Sequence, residues 1–290
     1  MPLTLTYQTS SQDHNKSLGN FLKEQGLSRK TMVALKHRGG KIAVNDQAQT
    51  TRCLLDSSDE ITVVFPDEPI SQSLFPVEMA INIVYEDDFI LVINKKEGFP
   101  VIATGSHSIA LANGILAHYE KMGLRSTVHF VNRLDKDTSG LMAVAKYRHI
   151  HCLMTKGTKA VTRKYYAQVA GILKGDGCIN MPIYRPSATN VKRVVHPSGQ
   201  QAITYYEVVQ PFKSSTLVRC ILETGRTHQI RVHMAHIGYP ILKDALYGDG
   251  MVGERQLLHS YFLAFIHPMT GEYLCFETGI PSRFKIDHES

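Results

Sequence analysis

Short apolar runs separated by polar turns cover most of the chain after residue 80, and such runs predict strands. The runs at residues 81–85 and 89–96 flank an acidic turn and predict a hairpin. Further runs that predict strands lie at residues 128–131, 141–145, 163–171, 192–195, 202–206 and 217–222. Of these, we expect residues 192–195 and 202–206 to pair as another hairpin through the turn at Gly199.

Apolar residues recur at helical spacing in four other segments, which therefore predict helices. These segments are residues 15–25, 28–38, 108–122 and 228–237. Gly26 and Gly123 follow the first and the third as stop signals, and Ser28 is in position to cap the second.

The length and a change of composition predict two folded parts. A chain of 290 residues is long enough for one large domain and one small one. Residues 67–76 are rich in proline, serine and acidic residues and predict a linker. We therefore divide the chain into a small N-terminal α/β module at residues 1–66, the linker, and a main domain at residues 77–290.

The charge of the chain favours a polyanionic partner, since the net charge is +6 and the isoelectric point about 9.0. Residues 151–240 hold twelve Lys/Arg against three acids, and residues 27–42 hold five Lys/Arg and no acid. Either segment alone could be an ordinary solvated basic face. In the second predicted helix, four side chains are expected to face solvent or phosphate: Arg29, Lys30, Lys36 and Arg38.

Composition argues against several other classes of protein. Apolar residues make up 43% of the chain and charged residues 20%, proportions typical of a folded globular protein. No apolar stretch approaches the roughly 20 residues of a membrane helix, and the N-terminus lacks a signal-peptide pattern. The five cysteines are widely spaced, which argues against disulfides or a thiolate metal site and favours the cytoplasm.

The loop at residues 132–140 lies between two predicted strands and carries the first candidate for chemistry, Asp135. Its sequence is Asn-Arg-Leu-Asp-Lys-Asp-Thr-Ser-Gly. Buried strands can hold a reactive carboxylate in place, and the basic residues Arg133 and Lys136 lie close to it in sequence. On these nine residues alone, an ordinary polar turn of mixed charge is the simpler interpretation.

A second candidate segment runs from Leu222 to His233, where a predicted strand passes through a Thr-Gly turn into a helix. His228 and Arg231, three positions apart, share one face near the start of that helix. Backbone N–H groups at a helix N-terminus, with Arg226 beside them, suit a phosphate or a carboxylate.

The histidines of this segment, at positions 228, 233 and 236, do not predict a metal site. Their spacing does not bring all three to one face, there is no H-E-x-x-H pattern, and no cysteine is nearby. We therefore expect no bound metal.

The sequence Arg-Leu-Asp-x-x-Thr-Ser-Gly at residues 133–140 resembles the active-site loop of the RluA-type pseudouridine synthases, which modify RNA. Residues 224–231, 238–241 and 244–248 resemble the last motif of that family, and the order of motifs agrees over most of residues 77–283. The resemblance implies an α+β catalytic domain with a mainly antiparallel central sheet flanked by helices. It also implies an isomerase that needs no cofactor or metal.

Pseudouridine formation breaks the N1–C1′ bond of a uridine, rotates the freed uracil and rejoins it to the sugar through C5. The resemblance implies that Asp135 is the nucleophile, attacking either C1′ or C6, and that Arg231 is its counter-ion. The family pattern Lys-x-Tyr-x-Ala matches residues 163–167, with arginine in place of lysine, and selects Tyr165 to stack on the uracil. Strand geometry alone leaves Tyr165 and Tyr166 undecided, because neighbouring side chains point to opposite faces.

Four basic side chains near these motifs are expected to contact RNA. Arg133 matches a family arginine and is expected to enter the space that the target base leaves when it flips out. Lys192 also matches a basic family position and is expected to contact phosphate, although an exposed strand end would account for it nearly as well. Arg226 and His228 are expected to bind RNA beside the start of the last helix.

The chain departs from the family pattern at two positions. Asn132 stands where the family usually has histidine, and Lys243 stands where it usually has glycine. Neither residue is the nucleophile, so the expected activity is unchanged. Only the loop contact made by the usual histidine is left open.

Residues 17–66 resemble the αL RNA-binding motif that a ribosomal protein shares with many RNA-modifying enzymes. An added module of this kind favours ribosomal RNA as the substrate, with tRNA as an open alternative, and we expect a monomer. One competing hypothesis is a non-catalytic RNA-binding or ribosome-assembly factor, which would not need Asp135. Another, a glycoside hydrolase using Asp135 and Asp137, is disfavoured because side chains two positions apart diverge on an extended chain.

Overall fold

The computed structural model describes residues 2–103, 109–155 and 161–284. Five α-helices lie in these ranges: α1 (Leu18–Glu24), α2 (Arg29–His37), α3 (Leu111–Lys121), α4 (Arg148–Thr155) and α5 (Gln229–His236). Sixteen strands lie there as well: β1 (Thr4–Gln8), β2 (Lys41–Val44), β3 (Gln47–Ala48), β4 (Glu60–Val64), β5 (Ile83–Glu86), β6 (Ile90–Lys95), β7 (His129–Phe130), β8 (Ser139–Ala145), β9 (Thr162–Ala170), β10 (Gly177–Asn180), β11 (Ile183–Tyr184), β12 (Val194–Val195), β13 (Ile203–Pro211), β14 (Ser215–Leu222), β15 (Leu258–Ile266) and β16 (Tyr273–Glu277). None of the helices described is long and apolar enough to cross a membrane.

The N-terminal module is a four-stranded antiparallel sheet, in the order β1-β4-β2-β3, with α1 and α2 packed against it. The residues predicted at helical spacing, Leu18, Phe21 and Leu22, are buried in its core. Ser28 caps α2, because its Oγ accepts a hydrogen bond from the Thr31 N–H at 3.1 Å. Both predicted helices of this module are therefore confirmed.

The larger sheet has ten strands and forms the main domain. Its order is β10-β13-β14-β9-β15-β8-β6-β5, with β16 paired to β15 and β7 paired to β8. Among the described pairs of this sheet, only β8 and β15 run parallel. The α+β fold with a mainly antiparallel central sheet is confirmed.

Apolar cores lie on both faces of this sheet. Helices α3 and α5 contribute to one core, and α4 contributes to the other. Within β6, Leu91 and Ile93 belong to the first core, whereas Ile90 and Val92 belong to the second. A strand buried on both faces explains the continuous apolar run in this part of the sequence.

Residues 66–82 include the predicted linker and contain no helix or strand. Two hydrogen bonds attach this segment to the main domain. Glu68 accepts a hydrogen bond from the Arg148 backbone N–H at 2.6 Å. The Asn113 side chain in α3 donates to the Phe75 carbonyl oxygen at 2.8 Å. The division at residues 66 and 77 stays a prediction.

The predicted hairpin of residues 192–195 with residues 202–206 is wrong. Instead β12 pairs with β11, whereas β13 pairs with β10 and β14. After β12 the chain crosses Ile183, whose backbone exchanges two hydrogen bonds with Gln200 at 2.9 Å. A side chain at Gly199 would collide with the Ile183 backbone, so glycine permits this crossing. The β11–β12 hairpin (residues 183–195) is therefore a separate two-stranded unit.

The third predicted helix is shorter than expected. Helix α3 begins at Leu111, and Ser108, its predicted start, lies outside the described residues. Ile109 and Met122 are exposed because they lie beyond the ends of the helix. The inward positions in between are buried as predicted: Ala112, Ile115, Leu116 and Tyr119.

Candidate active site

The Asp135 loop (residues 132–140) connects β7 to β8 and is fixed at both ends. The Asn132 side chain accepts a hydrogen bond from the Ala143 N–H at 2.8 Å. At the other end Gly140 has a φ of +114°, and a Cβ there would collide with the backbone of Ser260 in β15. Glycine is thus required where β8 approaches β15. The Asn132 side chain attaches the start of the loop to β8.

Lys95 holds the Asp135 loop from beneath. This lysine is buried at the end of β6, and its Nζ donates to three carbonyl oxygens, those of Lys96 (2.9 Å), Phe99 (3.1 Å) and Lys136 (2.9 Å). Burial lowers the pKa of Lys95 to about 8, although nearby carboxylates of the loop oppose the shift. The lysine therefore fastens the loop to the segment that follows β6.

Helix α5 begins beside this loop, after a turn that is held by hydrogen bonds to the Gln229 side chain. Gln229 accepts hydrogen bonds from the Arg226 N–H at 2.9 Å and from the Thr224 hydroxyl at 2.8 Å. His228 occupies the N-cap position with a φ of +59°, in the left-handed region that side chains rarely adopt. The turn brings both His228 and Arg231 to the Asp135 carboxylate.

Arg231 bridges two carboxylates, one in the cleft and one beneath it. Its Nη1 lies 2.9 Å from Asp135 Oδ2, while Nε and Nη2 form a bidentate pair with Asp244 at 2.7 and 2.8 Å. The Asp244 carboxylate is fully buried and also accepts the backbone N–H groups of Leu246 and Tyr247. Asp244 therefore fixes the guanidinium plane so that its remaining edge faces Asp135.

The charges of this triad support one another. Burial alone would raise the pKa of Asp244, but the hydrogen bonds and the charge of Arg231 hold it below its ordinary value. Burial would lower the pKa of Arg231, yet its two carboxylate partners together raise it. Asp135 consequently faces a positive charge that persists across the physiological pH range.

His228 lies close to the same oxygen of Asp135. Its Nε2 is 3.8 Å from Asp135 Oδ2, and its Nδ1 is 2.9 Å from the Tyr247 hydroxyl. That hydroxyl accepts the Arg193 N–H at 2.7 Å, so its own proton is available for His228 Nδ1. Burial lowers the pKa of His228, and Asp135 opposes the shift. A neutral ring with its proton on Nε2 fits both contacts.

Tyr165 on β9 lines the same cleft as Asp135. Tyr166 points to the opposite face and stacks on Tyr261, with ring centroids 4.0 Å apart. Burial raises the pKa of the Tyr165 phenol, a shift that a hydrogen bond with Ser260 partly opposes. The structure thus distinguishes two tyrosines that strand periodicity could not.

The cleft has a volume of about 530 Å³, and it is lined by Asp135, Tyr165, His228 and Arg231. Sites for small molecules usually span about 300–1,000 Å³, so one nucleoside fits. Apolar side chains form part of the wall: Val101, Phe130, Leu134, Leu222, Ile230 and Leu258. Basic side chains also line it: Arg133, Lys136, Arg163, Arg226 and Arg231. Such a lining suits a planar base together with its phosphates.

The predicted RNA-binding residues fall into three places. Arg133, Arg226 and His228 line the cleft, whereas Lys192 is exposed outside it, with its Nζ 5.7 Å from the centroid of the Tyr247 ring. The remaining four are exposed on or just after α2 in the N-terminal module: Arg29, Lys30, Lys36 and Arg38. These four residues are therefore exposed and line no part of the cleft.

Three residues that complete the site had been given no role from the sequence: Lys95, Asp244 and Tyr247. Lys95 shares a strand face with Leu91 and Ile93, and a lysine in that pattern signals a buried amine with specific partners. For Asp244 the signal is indirect. A buried arginine has five N–H donors, which one carboxylate cannot satisfy, so Arg231 requires a second acceptor besides Asp135. Tyr247 and Asp244 both lie in residues 244–248, which resemble the last motif of the RluA-type family, but the resemblance gave neither residue a role.

Both ring nitrogens of His233, in α5, have hydrogen-bond partners. The two ring nitrogens of His233 lie 2.9 Å from the Thr204 hydroxyl and 2.9 Å from the Met181 carbonyl oxygen. Within the described ranges, no group of three or more His, Cys, Asp or Glu side chains is arranged to hold a metal ion.

Comparison with known proteins agrees with this geometry. The family described as RNA pseudouridylate synthase matches residues 89–236, about half of the chain. An uncharacterized RNA pseudouridine synthase of Bacillus subtilis, YjbO, is 41% identical over 89% of this chain and 93% of its own length. Ribosomal large subunit pseudouridine synthase D of Vibrio cholerae is 38% identical over 83% of this chain and 80% of its own.

A solved structure leads to the same family. Human RNA pseudouridylate synthase domain containing 4 superposes with a TM-score of 0.56 at 26% identity, covering 70% of this chain and 90% of that chain. The chain therefore belongs to the RNA pseudouridine synthase family, among its RluA-type members, which are enzymes that isomerise uridine in RNA to pseudouridine.

Proposed function

We propose that the chain converts specific uridines of ribosomal RNA to pseudouridine, with Asp135 as the nucleophile. The observation that carries this proposal is the 2.9 Å contact between Arg231 Nη1 and Asp135 Oδ2 in a cleft of nucleoside size. A guanidinium fixed by the buried Asp244 orients the Asp135 carboxylate before substrate arrives. We assign Oδ1, the oxygen that Arg231 does not engage, to the attack.

In the proposed reaction Asp135 attacks either C1′ of the sugar or C6 of the base, and the N1–C1′ bond breaks. The freed uracil stays in the cleft against Tyr165, a stacking contact worth about 1–3 kcal/mol per base. It rejoins the sugar through C5, and the bond to Asp135 breaks, which regenerates the carboxylate. C5 releases its hydrogen as a proton to water, and N1 takes up a proton in its place. Flipping the base out of its stack costs a few kcal/mol, and we assign Arg133, exposed at the cleft, to the vacated space.

Ribosomal RNA is the favoured substrate for two reasons. The name of the Vibrio cholerae relative assigns it to the large ribosomal subunit. The N-terminal module also carries an exposed basic helix, α2, separate from the cleft, and a structured RNA can contact both surfaces. A compact tRNA substrate remains the alternative.

Tritium release from RNA labelled at C5 of uridine tests the proposal, because C5 loses its hydrogen only when it becomes the glycosidic carbon. Wild type and Asp135→Asn are each incubated with ribosomal RNA and, separately, with bulk tRNA. We expect release from ribosomal RNA by the wild type alone. Tritium release from tRNA alone would identify tRNA as the substrate instead. If neither RNA released tritium although both bound tightly, the non-catalytic RNA-binding factor would be favoured.

A further inference from the structure

We propose that a second pocket, beside the catalytic cleft, binds the nucleotide that neighbours the target uridine in the RNA chain. This inference rests on the proposed function. The pocket has a volume of about 400 Å³ and lies between the β11–β12 hairpin and the turn that precedes α5. The residues that carry the inference are Tyr184, Arg185, Arg193, Arg226 and Thr227.

The second pocket adjoins the catalytic cleft. Arg226 and Thr227 line both of them, so the two spaces share one wall. A nucleotide chain that leaves the cleft past Arg226 and Thr227 comes next to the residues of the second pocket. Consecutive nucleotides of one strand can therefore occupy the two spaces.

The charge of the second pocket matches a phosphodiester. Three arginines line it, and no acidic residue is among the described residues that do so. Each guanidinium group donates hydrogen bonds to backbone carbonyl oxygens. Arg185 donates to Ala188 and Asn190, and Arg193 donates to Asn190 and Val191. Arg226 donates to Gln201. Such bonds hold the side chains in place without neutralising their charge, which leaves a preorganised site for an anion.

An aromatic face completes a nucleotide site rather than a bare anion site. Tyr184 lines the pocket and is 38% exposed, with its ring tilted against His196 at a centroid distance of 5.3 Å. An exposed tyrosine beside clustered arginines is the combination that binds a base and its phosphate in single-stranded RNA.

A series of contacts also connects the second pocket to Asp135, the proposed nucleophile. The Arg193 N–H donates to the Tyr247 hydroxyl, which contacts His228 Nδ1, and His228 Nε2 lies 3.8 Å from Asp135 Oδ2. The backbone of Arg193 is therefore linked to Asp135 through Tyr247 and His228, and a phosphate on the Arg193 side chain would lie next to this linkage. Binding there sets the register of the strand in the cleft.

The test measures how strongly the full chain binds a fluorescein-labelled oligouridylate of about ten nucleotides at several salt concentrations. Binding is followed by fluorescence anisotropy between about 50 and 200 mM KCl.

The double variant Arg185→Gln, Arg193→Gln should reduce the slope of log K against log salt by about 1.4, since each single-strand contact contributes about 0.7. Tyr184→Ala should weaken binding about fivefold or more with the slope unchanged, because stacking carries no charge. Arg125→Gln, an exposed arginine that lines neither space, is the matched control.

The lysine variant Arg185→Lys, Arg193→Lys separates lost contacts from a disordered hairpin, because it should retain most of the slope. Wild-type RNA binding with an unchanged slope in the glutamine variant would overturn the second pocket and leave the proposed function standing. Weaker binding of uridine monophosphate, with oligouridylate unaffected, would indicate a free-nucleotide site and overturn it as well. If the wild type bound no RNA and released no tritium, both proposals would fail.

Discussion

At the scale of single residues, Arg231 connects the Asp135 carboxylate in the cleft to the buried Asp244. Three of its nitrogens contact two carboxylates, and the fully buried Asp244 holds the edge opposite Asp135. Sequence spacing placed Arg231 near the start of a helix, and the family resemblance paired it with Asp135. Neither could supply the role of Asp244, because the pairing depends on how the chain after α5 folds back under the helix.

Arg231→Lys should preserve charge and lose function. A single ammonium cannot form the bidentate contact with Asp244 while reaching Asp135, so the carboxylate loses its fixed orientation. We expect a fall in kcat of about 10²-fold, the usual consequence of misplacing a reacting group by about 1 Å. Single-turnover tritium release measures it. A rate close to that of the wild type would show that charge alone suffices.

His259 should make stability depend on pH. Its ring nitrogens contact the Ser139 and Thr278 hydroxyls at 2.8 and 2.9 Å, and burial, assisted by the charge of Arg283, lowers its pKa to about 4. Between pH 6.5 and pH 4 the unfolded chain binds this proton and the folded chain does not, so stability falls as pH falls.

At pH 5 this histidine should lower the free energy of unfolding by about 2 kcal/mol relative to neutral pH. Urea unfolding of His259→Gln at pH 7 and pH 5 should therefore show a smaller loss than the wild type by about that amount. The exposed His236→Gln is the control. Equal losses in wild type and His259→Gln would contradict the assignment.

At the scale of elements, short apolar runs predicted most strands of the central sheet, because those strands are buried on one or both faces. No run was assigned to β10, β15 or β16. Spacing failed at the β11–β12 hairpin, where two short strands pair with each other and the chain then crosses Ile183. No strand was predicted at β1, although Leu3, Leu5 and Tyr7 alternate with polar residues and contact the core of the module. A strand of two residues, such as β11 or β12, is too short to show such an alternation.

Gly140→Ala should damage the junction between the Asp135 loop and β8. The substitution adds strain at a φ of +114° and a collision with Ser260 in the parallel pair of β8 and β15. We expect a loss of about 3 kcal/mol or more in the free energy of unfolding, measured in urea. Gly279→Ala is the matched control, because nothing lies near its added Cβ. Losses of equal size in the two variants would show that Gly140 is not required there.

At the scale of the whole molecule, the N-terminal module packs on the catalytic domain while its basic helix stays exposed. Phe65 stacks on His149 of α4 with ring centroids 5.0 Å apart, and Phe89, Tyr147 and Met269 pack against the core of the module. Sequence predicted the module and its charge. It could not predict this contact, because the partners lie far apart along the chain and only the folded domain brings them together.

The triple variant Arg29→Gln, Lys30→Gln, Lys36→Gln should weaken binding to ribosomal RNA and leave kcat at saturating RNA unchanged. These side chains are exposed in α2 and line no part of the cleft, so they contribute to encounter and affinity only. We expect a higher KM and a shallower salt slope than in the wild type. The control removes three exposed charges elsewhere, with Arg125→Gln, Lys174→Gln and Lys213→Gln. Equal effects would point to net charge rather than to α2.

The central claim is that the Asp135 carboxylate performs the chemistry, and single-turnover tritium release from uridine C5 with enzyme in excess tests it most directly. Asp137 is the matched control, because it lies in the same loop but does not line the cleft. Asp135→Asn should release tritium at least about 10⁴-fold more slowly than the wild type, as expected for loss of a nucleophile. Asp137→Asn should stay within about tenfold of it. Release by Asp135→Asn at a rate close to that of Asp137→Asn would contradict the assignment of Asp135.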